Sequence, residues 1–122
     1  MRYMIMHKLD ENVPGNFDPS PEFLARMGRF LQEAYGAGVV LAAEGLRPTS
    51  VDTSRITVSG GKTTITDGPF TETKELIAGF ALVEVRSKEE AVEWAKRFTD
   101  VFIESGTDVE IDVRPVAEAP GR

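Results

Sequence analysis

The sequence predicts a single α+β domain over residues 1–122, ordered strand, helix, strand, hairpin, strand, helix, strand. Three observations carry this. Two segments, starting at Pro21 and Lys88, repeat apolar residues at three- and four-residue steps behind capping serines. Several short runs are apolar or rich in β-branched residues and are bounded by Gly, Pro, Asn or Asp. At 122 residues, 41% of them hydrophobic, the chain suffices for one core and is too short for two.

Tyr3 to Leu9 is apolar and runs into Asp10-Glu11-Asn12-Val13-Pro14-Gly15, so it reads as a strand ending in a loop. Its faces are Tyr3, Ile5, His7, Leu9 and Met4, Met6, Lys8. Ser20-Pro21-Glu22 then supplies a cap hydroxyl, a Pro suited to the first helical position and an acid favoured by the helix dipole. Phe23, Leu24, Met27, Phe30, Leu31, Ala34 and Tyr35 form the apolar stripe of this helix, and Gly36 or Gly38 ends it. Gly28 costs about 1 kcal/mol of helix propensity against Ala, which points either to close packing or to simple tolerance.

Val39 to Ala43 is continuously apolar, the pattern of a strand covered on both faces, until Glu44 interrupts it. Arg55–Val58 and Thr63–Thr66 flank Ser59-Gly60-Gly61-Lys62 as a hairpin. Leu76 to Val85 is the longest strand and belongs at the sheet centre, with Ile77, Gly79, Ala81, Val83, Val85 on one face and Ala78, Phe80, Leu82 on the other. Ser87 and Glu90 match a capping box opening a helix at Lys88, whose buried stripe is Ala91, Trp94, Ala95, Phe98 and Phe102. In the last strand Val109, Ile111 and Val113 alternate with Glu110, Asp112 and Arg114, and Ala117 to Arg122 reads as a tail.

Without the hairpin this order is βαββαβ, a ferredoxin-like antiparallel sheet with both helices on one face. Strands apolar on both sides leave the other face uncovered, so the sequence predicts a homodimer through the open sheet face. A charge at Ala81 or Val83 is then expected to weaken it.

The formal charge of −6 repels polyphosphate backbones and anionic lipid, so neither nucleic acid nor membrane is expected as a partner. Zero Cys and one His exclude disulfides, thiolate nucleophiles and multi-His or sulfur-ligated metal sites, and fit a cytoplasmic protein. The N-terminal apolar run stops at His7-Lys8, short of a signal peptide. Ser59-Gly60-Gly61-Lys62-Thr63 lacks the leading Gly of a P-loop, and no dinucleotide fingerprint, zinc-hydrolase motif or nucleophile elbow occurs, so no cofactor and no metal are expected.

Two acids, a Lys-Glu pair and an aromatic crowd Asp67-Gly68-Pro69-Phe70-Thr71-Glu72-Thr73-Lys74-Glu75. They suit either a well-capped turn or a polar pocket wall. His7 titrates near neutrality and offers acid or base chemistry, or is structural. Glu44 is a proton carrier if drawn into a partly buried site, or a strand end reaching water. Asp112 and Arg114 share a strand face that can hold a carboxylate or face solvent.

Met1-Arg2-Tyr3-Met4, Pro21-Glu22-Phe23-Leu24 with Met27-Gly28, Ala43-Glu44-Gly45-Leu46-Arg47-Pro48, Ser59-Gly60-Gly61-Lys62, Thr66-Asp67-Gly68-Pro69-Phe70, Thr73-Lys74-Glu75, Ala78-Gly79-Phe80, Glu93-Trp94-Ala95 and Asp112-Val113-Arg114-Pro115-Val116 stand in an order that resembles the YCII-related family, in particular its DGPF branch. Ala43 stands where that family usually has Gly, Asp112 where Glu is common, and the Cys-Pro that often follows the second helix is replaced around Phe98-Thr99. The resemblance implies a dimeric α/β barrel enclosing pockets, a role as small enzyme or ligand binder, and for some members association with an extracytoplasmic-function sigma factor. Carried over by position, the pocket involves Glu44, Asp67, Phe70, Lys74, Glu75, Asp112 and Arg114. The expected function is therefore small-molecule binding by a cofactor-free lyase, isomerase or hydrolase. Asp67, Glu44 or His7 would move the proton, and Lys74 or Arg114 would hold an anion. The alternative is a non-catalytic ligand-binding or regulatory module associated with such a sigma factor.

Overall fold

The computed structural model describes residues 1–72 and 74–118. Thr73 and the tail expectation for 119–122 lie outside them. The elements are β1 (Arg2–Lys8), α1 (Pro21–Gly36), β2 (Val40–Gly45), β3 (Ser54–Ser59), β4 (Lys62–Asp67), β5 (Ile77–Glu84), α2 (Lys88–Glu104) and β6 (Glu110–Pro115). Strands β2-β5-β1-β6 form one antiparallel sheet, and β3-β4 a separate two-stranded one. This is the expected ferredoxin-like α+β arrangement with β5 and β1 at its centre, and the single-chain sheet is open, not a closed barrel.

Local chemistry sets the elements. Ser20 Oγ accepts the Phe23 N–H at 3.1 Å, and Ser87 Oγ accepts the Glu90 N–H at 3.1 Å, which starts each helix. Glu90 does not close the predicted capping box on Ser87. Its carboxylate accepts instead from the backbone N–H of Arg86 at 3.1 Å and from the Arg86 guanidinium at 3.3 Å. Gly60 and Gly61 take φ of 57° and 78°, the left-handed pair that a two-residue hairpin turn requires. Gly28 is solvent-facing with open space where a Cβ would stand, so tolerance, not close packing, accounts for it.

Both helices cover one sheet face. Tyr3, Ile5, Val40, Ala81, Val83 and Val85 pack there against Ala34 of α1 and Ala91, Ala95 and Trp94 of α2. Directly opposed residues share a face, so the register puts Met4, Met6, Phe80 and Leu82 together on the uncovered side. Ala81 and Val83 are thus core residues, and a charge on either unfolds the core without testing the open face. The positions that test it are Phe80 and Leu82.

Two bulges change what alternation predicts. Between His7 and Lys8 the pairing skips Ala78 and sets Lys8 opposite Ile77. Ala78 therefore joins Leu9 and Phe102 in a second small core while Ile77 turns outward, the reverse of the expected face assignment. In β2 the register slips between Val40 and Ala42, leaving Leu41 half exposed. β2 is an edge strand and in a single chain is not covered on both sides.

Candidate functional site

The bulged end of β1 and the end of β2 meet at one end of the sheet, where His7 and Gly45 both stand beside Gly79. A cavity of about 1100 Å³ lies there, with Phe23, Phe98 and Phe102 among its apolar walls and His7, Glu44 and Lys74 among its polar ones. Lys8 and the 10–18 loop complete the rim.

His7 faces the helices, its ring 5.3 Å from that of Phe98 and 5.5 Å from that of Phe102. The absence of a side chain on Gly79 makes room for it. A Cβ there would collide with the imidazole and lie 2.7 Å from the Glu44 carbonyl oxygen. Burial among these rings lowers the His7 pKa from 6.5 to about 4, so the imidazole is neutral at physiological pH. No buried side-chain nitrogen or oxygen lacks a partner among the described residues. His7 makes no side-chain hydrogen bond among the described residues, so its ring nitrogens are not fully buried, and the residue lines the cavity.

Lys8 Nζ is held by Asp112 at 2.8 Å and Glu110 at 3.4 Å, across the β1-β6 pair. The Asp112 hydrogen bond, more than Glu110, raises its pKa above the ordinary lysine value. This ion pair engages Asp112, which with Arg114 borders a smaller cavity of about 500 Å³ between α2 and β6. Lys74 and Glu44 make no ion pair among the described residues and are exposed at the cavity.

The Asp67–Phe70 turn lies elsewhere. Asp67 accepts the Ser54 hydroxyl at 2.9 Å across the hairpin base. The Arg55 guanidinium lies 4.0 Å from the centre of the Phe70 ring and pairs with Glu72 at 3.1 Å. Glu72 is held below the usual carboxylate pKa, first by a backbone N–H and then by Arg55. Thr49 Oγ1 accepts the Phe70 N–H at 3.1 Å and donates to Glu11 at 2.7 Å, while Glu11 also accepts the Thr49 N–H at 2.9 Å. A Cβ on Gly68 would collide with the Thr49 carbonyl, so only glycine lets this turn seat so closely.

Of the residues singled out in the sequence, His7, Glu44 and Lys74 all border the large cavity, His7 from the helix-covered face of the sheet and Glu44, which stands opposite Phe80, from the uncovered one. The fold sets Asp67 and Phe70 in the hairpin base, Asp112 and Arg114 at the smaller β6 cavity, and Glu75 exposed beside neither. Lys8 and the wall of Phe98 and Phe102 were not singled out as site residues, although the Met4, Met6, Lys8 face and the helical stripe both stand in the sequence pattern. The Glu11–Thr49–Phe70 tie spans contacts 38 and 21 residues apart and left no local signal.

Among the described residues, no group of three or more His, Cys, Asp or Glu side chains could hold a metal ion, and no helix is long and apolar enough to cross a membrane. An uncharacterized protein of Rhizobium meliloti (strain 1021) is 39% identical over 59 residues, 48% of this chain. That match covers 45% of the relative, just under half its length. The YCII-related domain model matches residues 1–117, and the chain belongs to the YCII-related domain family.

Proposed function

We propose that the chain binds a small organic acid with an apolar or aromatic body in the His7–Glu44–Lys74 cavity, and that it acts there as a cofactor-free enzyme. One observation carries this reading: a neutral imidazole with unbonded nitrogens stands against an aromatic wall, in a cavity whose polar wall also offers Lys74 and Glu44. Apolar walls with a few polar groups are the usual make-up of a small-molecule site. The ring of the ligand packs on Phe98 and Phe102, its carboxylate pairs with Lys74, and neutral His7 fixes its orientation by hydrogen bonding. Glu44 carries the proton in a lyase, isomerase or hydrolase step.

Asp67 is committed to Ser54 outside the cavity, which supports a second reading, a ligand-binding module without turnover. The Thr66–Phe70 segment supports placement in the DGPF branch. Half-buried Met4, Met6, Phe80 and Leu82 on the uncovered sheet face support a homodimer through that face.

Calorimetric titration with a panel of aromatic and aliphatic carboxylates, and with the matching amides, tests the proposal. Carboxylates bind and amides do not, and Lys74→Met weakens binding about tenfold, the loss of one charge-assisted contact. Conversion of the bound acid that Glu44→Gln abolishes, with binding kept, marks an enzyme. Binding without product marks the module. Unchanged binding in both Lys74→Met and His7→Phe overturns the site itself.

A further inference from the structure

None of residues 67–72 lines the large cavity, yet one side chain joins the turn they form to its wall. Thr49 Oγ1 carries one proton and a carboxylate only accepts, so the hydroxyl donates to Glu11 at 2.7 Å and offers its lone pairs to the Phe70 N–H at 3.1 Å. The second Glu11 oxygen accepts the Thr49 N–H at 2.9 Å, which fixes how the carboxylate sits. The turn is seated as firmly on its own side. The Gly68 N–H donates to the Thr53 carbonyl at 2.9 Å, and a Cβ on Gly68 would collide with the Thr49 carbonyl. The connection carrying Thr49 is pinned to the central sheet where the Leu46 N–H donates to the Ala78 carbonyl at 2.8 Å.

On the cavity side, residues 10–18 are bonded to one another. The Asp10 side chain accepts the Asn12 N–H at 2.9 Å and its carbonyl accepts from Asn16 Nδ2 at 2.9 Å. The Val13 and Gly15 carbonyls accept the Asn16 and Asp18 N–H groups at 3.2 and 3.1 Å. Such a loop moves as one body. Among the described residues, Glu11 is the one member of it that hydrogen-bonds to a distant segment, and Phe17 adds an apolar hold on the core of Leu9, Ala78 and Phe102. Val13, Pro14 and Gly15 are exposed and line the cavity, as Phe17 does.

We propose that Thr49 and Glu11 are positioning residues through which the Gly68–Phe70 turn sets the wall of the cavity. The proposal rests on that cavity being the ligand site, as proposed above. Two holds, Phe17 and Glu11, fix the loop body, so releasing Glu11 leaves it free to swing on Phe17 and to draw Val13 and Pro14 off the cavity. One oxygen serves both partners of Thr49, so losing either bond weakens the other. The coupling is therefore reciprocal: the turn acts on the loop, and a ligand enclosed by the loop acts on the turn. Val13, Pro14 and Phe17 are apolar, which makes enclosure of the ligand's apolar body, and not of its carboxylate, the property that this relay controls.

Amide hydrogen exchange read by NMR on the full chain, with and without phenylacetate, tests the relay. Glu11→Gln leaves one acceptor for two donors and is expected to speed exchange at Phe70, and Thr49→Val to speed it at Asn16 and Asp18, each about tenfold, the loss of roughly one hydrogen bond. The paired amides of β1 and β5 change less, and Thr49→Ser, which keeps the hydroxyl, retains wild-type rates. Phenylacetate is expected to protect the Phe70 amide of the wild type, and its Kd to rise at least about threefold in Thr49→Val but not in Thr49→Ser. Loop and turn amides that respond no more than those of β1 and β5, or a Thr49→Ser protein that behaves like Thr49→Val, overturn the relay. Phenylacetate held equally by the wild type and Thr49→Val overturns the positioning role. If the amides respond as expected and phenylacetate does not bind the wild type, the tie between turn and loop stands and the reading of the cavity as an acid site falls.

Discussion

Glu11 grips Thr49 at two points, one carboxylate oxygen accepting its backbone N–H and the other its hydroxyl, and the same hydroxyl oxygen receives the Phe70 N–H. One threonine thus ties the β1-α1 loop, the segment after β2 and the turn below the hairpin. Thr49→Val keeps the shape and removes the hydroxyl, leaving a part-buried carboxylate oxygen and an amide without partners. The expected loss is about 1–3 kcal/mol, read as a lower urea midpoint at unchanged slope. An unaltered midpoint would show that the tie contributes nothing to stability.

Gly79→Ala forces a methyl group into the His7 ring and against the Glu44 carbonyl. Overpacking of this kind costs about 1–3 kcal/mol. Adding His7→Ala to it recovers part of the loss, since the ring gives way and the Glu44 backbone does not. Melting curves of the two single variants and the double variant read this, and strict additivity would contradict the contact.

His7 titrates near 6.5 when unfolded and about 4 when folded. Its lowered folded pKa makes the unfolded state bind the extra proton, so its contribution is fully present above pH 6.5 and is lost as pH falls toward 4. The loss amounts to about 3 kcal/mol at most. His7→Phe should therefore show a shallower decline in stability than the wild type across that window, and parallel curves would place the imidazole in water.

Ser87→Ala removes the hydroxyl that caps α2 and should cost about 1 kcal/mol, with Ser87→Asp restoring most of it. Chemical denaturation of the pair decides whether the cap or the side-chain volume matters.

Elements whose signals are local were legible in the sequence. Ser20 and Ser87 mark helix starts through a hydroxyl three residues from its partner, and Gly60-Gly61 marks a turn because only left-handed backbone closes it. The faces of the central strands were harder. A single bulged residue moves Ile77 outward and Ala78 inward, and alternation carries no record of it. For the same reason Ala81 and Val83 looked like open-face positions, because period two divides residues into two sets without saying which set the helices cover. The site was legible in part. His7 and Glu44 stood out as polar breaks in apolar strands and do border the cavity. The dense Asp67–Glu75 segment drew attention for its charge, yet the fold uses Asp67, Phe70 and Glu72 to anchor the hairpin, through partners at Ser54, Thr49 and Arg55 that only folding brings near.

Native mass spectrometry of the protein purified from its own cells reads directly whether the His7–Glu44–Lys74 cavity holds a small acid. The expected spectrum is a dimer retaining a small carboxylate that the Lys74→Met protein lacks. A ligand-free protein, or one whose bound molecule is kept equally by Lys74→Met and His7→Phe, would contradict it.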